Sequence, residues 1–189
     1  MRSQSLLAAA LLILGAAAGQ ATPLECVVNG DFEQDLEVGW QQLNEATNAS
    51  IARDADLDDD PDQELGLRFD NGVGEISVWQ RFAIPNTDLD IATTLRARAS
   101  ASGGAWVAAG FGLSYLDQDL VVLGRTFIGQ MTSDCPWYGS PTLHLVTSAD
   151  NQWEQHSFNL NDELANLPGV DLSEITYLEV EVFSTAENC

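Results

Sequence analysis

The chain has 189 residues, and 29 acidic residues against seven basic ones, all arginines, give a formal net charge of −22 at pH 7. Such a surface repels nucleic acid and anionic lipid, so neither is expected as a partner. Because 45% of the residues are hydrophobic and five are tryptophans, the chain is apolar enough to fold around a core, and disorder is not expected.

The amino terminus predicts a secretory signal peptide over residues 1–21. Arg2 supplies a positive charge, an almost continuous apolar stretch follows, and cleavage is expected after Ala18 or Ala21. The stretch is shorter than the roughly 20 residues of a membrane-spanning helix. We therefore expect an exported protein, secreted or held at the cell surface or in the periplasm. After cleavage we expect no membrane insertion, and a single domain over residues 22–189.

The stretch at 27–40, VVNGDFEQDLEVGW, opens this domain. It predicts a short strand over 26–28, a tight turn at the Asn-Gly pair that follows, and two buried aromatic residues, Phe32 and Trp40. Asp31 and Glu33 are expected to stay near backbone carbonyls at the turn. The pattern starts a fold and by itself indicates no chemistry.

The aspartate-rich segment at 54–64 raises the question of calcium. Its first carboxylates have the spacing that begins an EF-hand, but Asp59 stands where glycine is needed and Leu65 where the bidentate glutamate should be. The segment is therefore not an EF-hand. A solvated acidic loop is favoured over a looser calcium loop.

From residue 64 onward, apolar and polar residues alternate in short runs separated by turn residues, which is the pattern of β-strands. Strands are predicted over residues 64–70, 75–84, 93–101, 106–115, 120–128, 142–147, 153–160 and 176–183. One short helical turn is predicted near 161–167, capped by Asn161 and ended by Pro168-Gly169. Many strands without βαβ spacing predict an all-β fold, a β-sandwich.

The motif NGDFE at 29–33, followed by Gly39-Trp40, resembles the start of jelly-roll carbohydrate-binding modules of families four, nine and twenty-two. Segments at 65–68, 78–82, 114–117 and 153–160 extend the likeness over most of the expected domain. The resemblance implies a galactose-binding-like jelly roll of two antiparallel sheets. In those modules a further acidic strand closes the fold, whereas this chain stops at STAENC, where a loop would precede that strand. We expect either a fragment or a sandwich without its closing strand.

The same resemblance implies a structural calcium ion near the first strand, with Asp31 and Glu33 as its candidate ligands. It also implies a secreted, non-catalytic protein whose partner is a polysaccharide or a cell-surface glycan. The alternative is a structural or adhesive extracellular domain with no sugar site. A small glycan-active enzyme is a third and weaker interpretation. The oligomeric state stays open.

A sugar site needs exposed aromatic faces beside hydrogen-bonding side chains, because a ring covers the apolar face of a pyranose while polar groups satisfy its hydroxyls. Trp106 heads the outward face of its strand, followed by a row of small residues that would leave a trough. Arg96 and Arg98 are expected to point the same way from a neighbouring strand. Trp137 and Tyr138 form a second aromatic pair. For each tryptophan the alternative role is packing, which we assign to Trp40, Trp79 and Trp153.

Three cysteines in an exported chain predict one disulfide and one odd thiol. The pair Cys135–Cys189 is favoured because both lie late in the chain in loop-like surroundings, and the other two pairings stay open.

Catalytic motifs are absent from the sequence. It has no Gly-x-Ser-x-Gly, no His-Glu-x-x-His, no phosphate loop and no lysine. His144 and His156 lie on predicted strands, and each is expected to be a surface or structural histidine. Acid–base pairs among 29 carboxylates cannot be identified from sequence. The chain is therefore expected not to be an enzyme.

Overall fold

The computed structural model describes residues 10–15, 26–54, 63–70, 72–101 and 105–188. Within these residues strands dominate, with one short α-helix and one 3₁₀ turn over Leu172–Glu174. The elements are β1 (Ala10–Gly15), β2 (Gln41–Asn44), β3 (Ala49–Asp54), β4 (Glu64–Phe69), β5 (Gly74–Ala83), β6 (Asp90–Leu95), β7 (Ala105–Leu116), β8 (Val122–Met131), β9 (Leu143–Thr147), β10 (Glu154–Asn159), α1 (Leu160–Leu164) and β11 (Tyr177–Asn188).

The predicted all-β sandwich is confirmed. A six-stranded sheet has the order β2-β5-β11-β7-β8-β9, and it packs against a three-stranded sheet, β1-β6-β10, and a two-stranded sheet, β3-β4. Two details differ from the expectation of two antiparallel sheets: β9 runs parallel to β8, and the second layer is divided into two sheets. The helical turn is also confirmed, although its cap is Asn159, whose side chain accepts from the Asn161 amide.

The core lies between these layers. Alternation along each strand sends one set of side chains inward, as period-two patterning requires. Val78 of β5, Leu113 of β7 and Val182 of β11 are almost fully buried there, together with Leu67 of β4 and Ile91 of β6. The opposite face of the six-stranded sheet is consequently free to carry polar and aromatic groups.

Strand β11 occupies a central position in the six-stranded sheet. It pairs with β5 through Ala186 and with β7 through Asn188. The sequence predicted a strand over 176–183 followed by a loop, and the prediction of the loop is wrong. Residues 184–186 continue the strand because they have a partner on either side, and residues 187–188 continue it against β7 alone. Local turn residues do not reveal these partners.

The predicted strand at 26–28 is not formed. The backbone of Val28 instead bonds the side-chain amide of Gln80, which donates to its carbonyl (2.6 Å) and accepts from its N–H (3.0 Å). Phe32 and Trp40 are buried as predicted, with ring centroids 5.1 Å apart. The Trp40 indole donates to the Asn29 carbonyl at 2.9 Å. The Gln80 side-chain amide thus makes the backbone hydrogen bonds to Val28 that a neighbouring strand would otherwise make.

The predicted leader at 1–21 lies mostly outside the described residues. Its described part, Ala10–Gly15, pairs antiparallel with β6. Cleavage and the domain boundary at residue 22 stay predictions. Among the residues that the structure describes, no helix is long and apolar enough to cross a membrane.

Candidate functional site

The candidate site lies on the face of the six-stranded sheet that points away from the core. Pairing brings side chains of several strands into one row there. Glu181 of β11 is opposite Trp79 of β5 and Gly112 of β7, and Gly112 is opposite Phe127 of β8. A cleft of about 530 Å³ opens on this face. We call it the outer cleft; its lining includes Trp106, Trp137, Phe127, Phe183, Gly112, Ser114, Glu75, Glu181, Glu187 and Arg125.

Aromatic rings form one wall of the outer cleft. Trp137 lies 5.9 Å from Trp106, 5.6 Å from Phe127 and 5.8 Å from Phe183, measured between ring centroids. Trp106 is 6% exposed, whereas Trp137 is only partly buried. The four rings therefore pack as a small second core, and Trp137 covers the others at the cleft.

The loop after β8 places Trp137 on the sheet. Its first residue, Thr132, donates its amide to the Val107 carbonyl at 3.0 Å and accepts from the Val107 amide through its hydroxyl at 3.1 Å. Cys135, whose amide donates to the Thr132 carbonyl, is buried against the same rings. These bonds return the loop over the sheet face and hold the indole against Phe127.

The floor of the outer cleft beside this wall carries small side chains. Gly112 and Ser114 follow one another on the outward face of β7, and both line the cleft. A Cβ added to Gly112 would meet the Phe183 ring at 3.5 Å and Glu181 Oε2 at 3.7 Å, which are ordinary contacts. The floor is thus open at Gly112 because no side chain fills it, and the space could accept a ligand.

Charged groups complete the outer cleft. Glu75, Glu181 and Glu187 line it together with Arg125. Nearby, Arg81 donates through Nε to Glu179 Oε2 at 3.0 Å and stacks 5.3 Å from the Trp79 ring centroid. The outer cleft therefore offers hydrogen-bond donors and acceptors along an aromatic wall.

The Glu181 carboxyl has an unusual proton affinity. Burial raises its pKa from 4.5 to about 7; repulsion from Glu75 and Glu179 adds to this, while a hydrogen bond with Ser77 and the charge of Arg125 act in the opposite direction. At neutral pH this carboxyl is divided between its protonated and ionised forms. Such a group can donate or accept a proton at neutral pH.

Behind the sheet, a buried hydrogen-bond cluster holds helix α1. Glu163 Oε1 accepts from the Thr126 hydroxyl and lies 2.6 Å from His144 Nδ1, and the Tyr115 hydroxyl lies 3.0 Å from that of Thr126. Asn166 donates to the second carboxylate oxygen at 3.3 Å. Because these partners account for both oxygens of Glu163, the geometry fits the structural role expected for His144.

The structure brings together only part of the predicted sugar site. Trp106 and Trp137 meet in one cluster, while Tyr138 is 77% exposed beside it. Arg96 and Arg98 come after the end of β6, which belongs to the three-stranded sheet, so they do not lie on a strand next to Trp106. The Arg96 guanidinium stacks 5.3 Å from the Trp153 ring centroid, and neither arginine lines the outer cleft.

The predicted disulfide is not present in this structure. Cys135 is a free, buried thiol, and Cys189 lies outside the described residues. Burial raises the pKa of the Cys135 thiol, so the thiolate is disfavoured there. Cys26 is a free cysteine as well.

The candidate calcium ligands contact the backbone. The Asp31 carboxylate accepts from the Glu33 amide at 3.4 Å, and the Glu33 carboxylate accepts from the Gln63 amide at 2.9 Å. The Arg53 guanidinium donates to the Phe32 carbonyl at 3.0 Å, where it occupies one oxygen that a cation would need. Among the described residues, no group of three or more His, Cys, Asp or Glu side chains is placed to hold a metal. Calcium binding by Asp31 and Glu33 stays a prediction, and the calcium-loop alternative at 54–64 lies largely outside the described residues.

Sequence reasoning missed Glu181, Arg125, Phe127 and Phe183. A signal was present in the stretch at 177–183, where Glu179, Glu181 and Phe183 alternate with Leu178, Val180 and Val182. That alternation assigns two carboxylates and a phenyl ring to the outward face. The alternation of apolar and polar residues does not reveal the order of the strands in the sheet, so it could not show which strands lie beside these side chains.

No protein-family model matches this chain, and comparison with curated proteins found no match. Among solved structures, the chain is similar to the enzymatically active domain of tailspike protein 4 from bacteriophage CBA120, at 11% identity and a TM-score of 0.33. That match covers 85% of this chain and 19% of the tailspike chain. Values this low establish neither a common fold nor a common activity. The resemblance to carbohydrate-binding families four, nine and twenty-two is not confirmed beyond the all-β architecture.

One expectation is corrected at this point. The chain was expected not to be an enzyme, and this expectation is contradicted. The outer cleft contains a glutamate, Glu181, with a pKa of about 7, and carboxyl groups with pKa values shifted in this way cluster at sites of proton transfer. The expectation of no enzymatic activity is therefore withdrawn.

Proposed function

We propose that the outer cleft binds a carbohydrate chain. The observation that carries the proposal is the partly exposed Trp137 indole, which packs over the buried Trp106 at the outer cleft, beside an unfilled floor at Gly112. An indole face covers the apolar face of a sugar ring, and carboxylate, guanidinium and hydroxyl groups satisfy its hydroxyls. Glu181, Arg125 and Ser114 provide these groups within the same cleft.

The site of action is proposed to be outside the cytoplasm. The apolar stretch that follows Arg2 supports export, and a net charge of −22 makes anionic partners unfavourable. With one aromatic wall and an open groove, affinity is expected on the order of millimolar to micromolar. A polysaccharide with many repeats would raise the apparent affinity.

Affinity electrophoresis against β-glucans, xylan and alginate-like polymers tests this proposal. The sharpest variant is Gly112→Val, which places a branched side chain on the cleft floor where a Cβ alone meets only ordinary contacts. The matched control is Gly139→Val, in the exposed loop beside Tyr138, where a Cβ would meet a single atom within 4 Å. We expect retardation to be lost in Gly112→Val and kept in Gly139→Val, with both variants folded. Absence of retardation on the whole panel would reject the proposal and favour the adhesive alternative.

A second candidate function is cleavage of a glycosidic bond. The observation that favours it is the raised pKa of Glu181, with the Glu75 carboxylate close enough to contribute to that shift. Glycosidases use a pair of carboxyl groups, of which one is protonated at working pH. Release of reducing ends from the same polymers would show it, and Glu181→Gln should abolish that release. Binding without release would reject hydrolysis and leave the binding proposal intact.

A further inference from the structure

We propose that the outer cleft recognises a cationic sugar, an amino sugar whose nitrogen carries a positive charge, in preference to a neutral or anionic one. This inference rests on the proposed carbohydrate-binding function and narrows the class of ligand. The cleft itself is defined by its aromatic wall and open floor. The charges around that floor decide which sugar it suits.

The charge balance of the outer cleft is negative. Among the described residues that line it, Glu75, Glu181 and Glu187 oppose a single arginine, Arg125. A fourth glutamate on this face, Glu179, is already paired with Arg81. A ligand with a positive nitrogen would supply the missing counter-charge, whereas an anionic sugar would add to the repulsion.

Glu181 is central to this recognition. Its neighbour on one side is Trp79 and on the other is Gly112, which has no side chain to cover it. Beyond Gly112 lies the Phe127 ring, which packs against Trp137. A cationic nitrogen above Gly112 would lie next to the Glu181 carboxylate and beside the aromatic wall, where a ring face that turned towards it would attract it.

Burial is the main reason why Glu181 is partly protonated at neutral pH, and charged groups on the same face of the sheet modify its pKa. Glu75 and Arg81 come from β5, Arg125 from β8, and Glu179 and Glu187 from β11. The outer strands β2 and β9 contribute Gln41 and Leu145 to the same row. Burial and repulsion from Glu75 and Glu179 raise the pKa of Glu181 to about 7. A bound cation would take the place of that proton.

Calorimetry with matched β-1,4-linked tetrasaccharides tests the inference. One probe is built of N-acetylglucosamine and is neutral; the other carries one N,N,N-trimethylammonium group, whose charge does not change with pH. Tetramethylammonium alone, at the same ionic strength, reports adsorption of any cation to this acidic protein. We expect the charged probe to bind about tenfold tighter than the neutral probe at pH 8. We also expect its affinity to be about tenfold lower at pH 6, since a group of pKa 7 is roughly nine-tenths ionised at pH 8 and one-tenth at pH 6.

Two variants decide whether Glu181 is responsible. Glu181→Gln should remove the preference and the pH dependence, so that the charged and the neutral probe bind alike at pH 6 and at pH 8. Glu179→Gln, on the same face but paired with Arg81, should retain both. Equal binding of the two probes at pH 8 would overturn the inference and leave the proposed function standing. Binding of neither probe would overturn the inference, and the proposed function as well if the polymer panel shows no retardation. A preference that survives in Glu181→Gln, or that tetramethylammonium reproduces, would also overturn the inference.

Discussion

Gly110 of β7 and Gly129 of β8 lie directly opposite each other, and the strands approach so closely there that neither position can carry a side chain. A Cβ on Gly110 would lie 2.2 Å from the Ile128 carbonyl oxygen, and one on Gly129 would lie 2.2 Å from that of Ala109. The lack of side chains at Gly110 and Gly129, beside the aromatic wall, is therefore required by the packing of the two strands. Gly112, two residues further along β7, is under no such constraint.

The two glycines of β7 are expected to respond differently to alanine. Gly110→Ala should destabilise the protein by roughly 2–3 kcal/mol, because the contact is with backbone and the strands must separate. Gly112→Ala should change the free energy of unfolding by less than about 1 kcal/mol. Urea unfolding of both variants measures this. Equal losses would show that the close approach of β7 and β8 is not as described.

The stability of the fold is expected to depend on pH through Glu181. Its pKa is raised to about 7 in the folded protein from 4.5, so the unfolded chain releases this proton first as pH rises. The contribution of Glu181 to the free energy of unfolding is therefore fully present below about pH 4.5 and is lost as the pH rises through 7. The loss is on the order of 3 kcal/mol.

Urea unfolding at pH 5 and pH 8 tests this dependence. Glu181→Gln should lose less stability than the wild type between the two values, because the amide does not ionise. Glu174→Gln, on the exposed 3₁₀ turn, serves as the control and should behave as the wild type. The same pH response in all three proteins would contradict the assignment.

The buried cluster at Glu163 is expected to be a large contributor to stability. Glu163→Ala removes the acceptor for Thr126 and the partner of His144, leaving buried polar groups without a partner, at a cost of roughly 2–4 kcal/mol. Glu174→Ala on the exposed turn should stay within about 0.5 kcal/mol. Thermal or urea unfolding measures both. If Glu163→Ala were as stable as the control, the cluster would not be holding α1.

We expect the Arg53 guanidinium, rather than a metal ion, to be the positive group that stabilises the turn at 29–35. This guanidinium donates to the Phe32 carbonyl and to the Asp35 carboxylate at 3.1 Å. Arg53→Met should lower stability by about 1 kcal/mol, whereas EDTA or added calcium should leave the melting temperature of the wild type unchanged. A rise with calcium in the wild type that disappears in Glu33→Gln would instead establish calcium at this turn.

Local patterning was sufficient for most of the fold. Alternation at 64–70, 75–84 and 106–115 predicted the strands β4, β5 and β7, because a half-buried strand needs an apolar residue at every second position. The same alternation predicted that Trp106, Gly112 and Ser114 would share the outward face. It also extended a strand over 93–101, whereas β6 ends at Leu95.

What the sequence by itself determined is thus the class of each segment and the side of the strand on which each residue lies. Only the tertiary structure decided which outward faces meet. Strand β11 entered between β5 and β7, which placed Glu181 beside Gly112, while β6 joined another sheet and took Arg96 and Arg98 away from Trp106. The physical reason is that period-two patterning satisfies burial for any sheet order, whereas strand neighbours are selected by hydrogen-bond partners and packing between residues far apart in the chain.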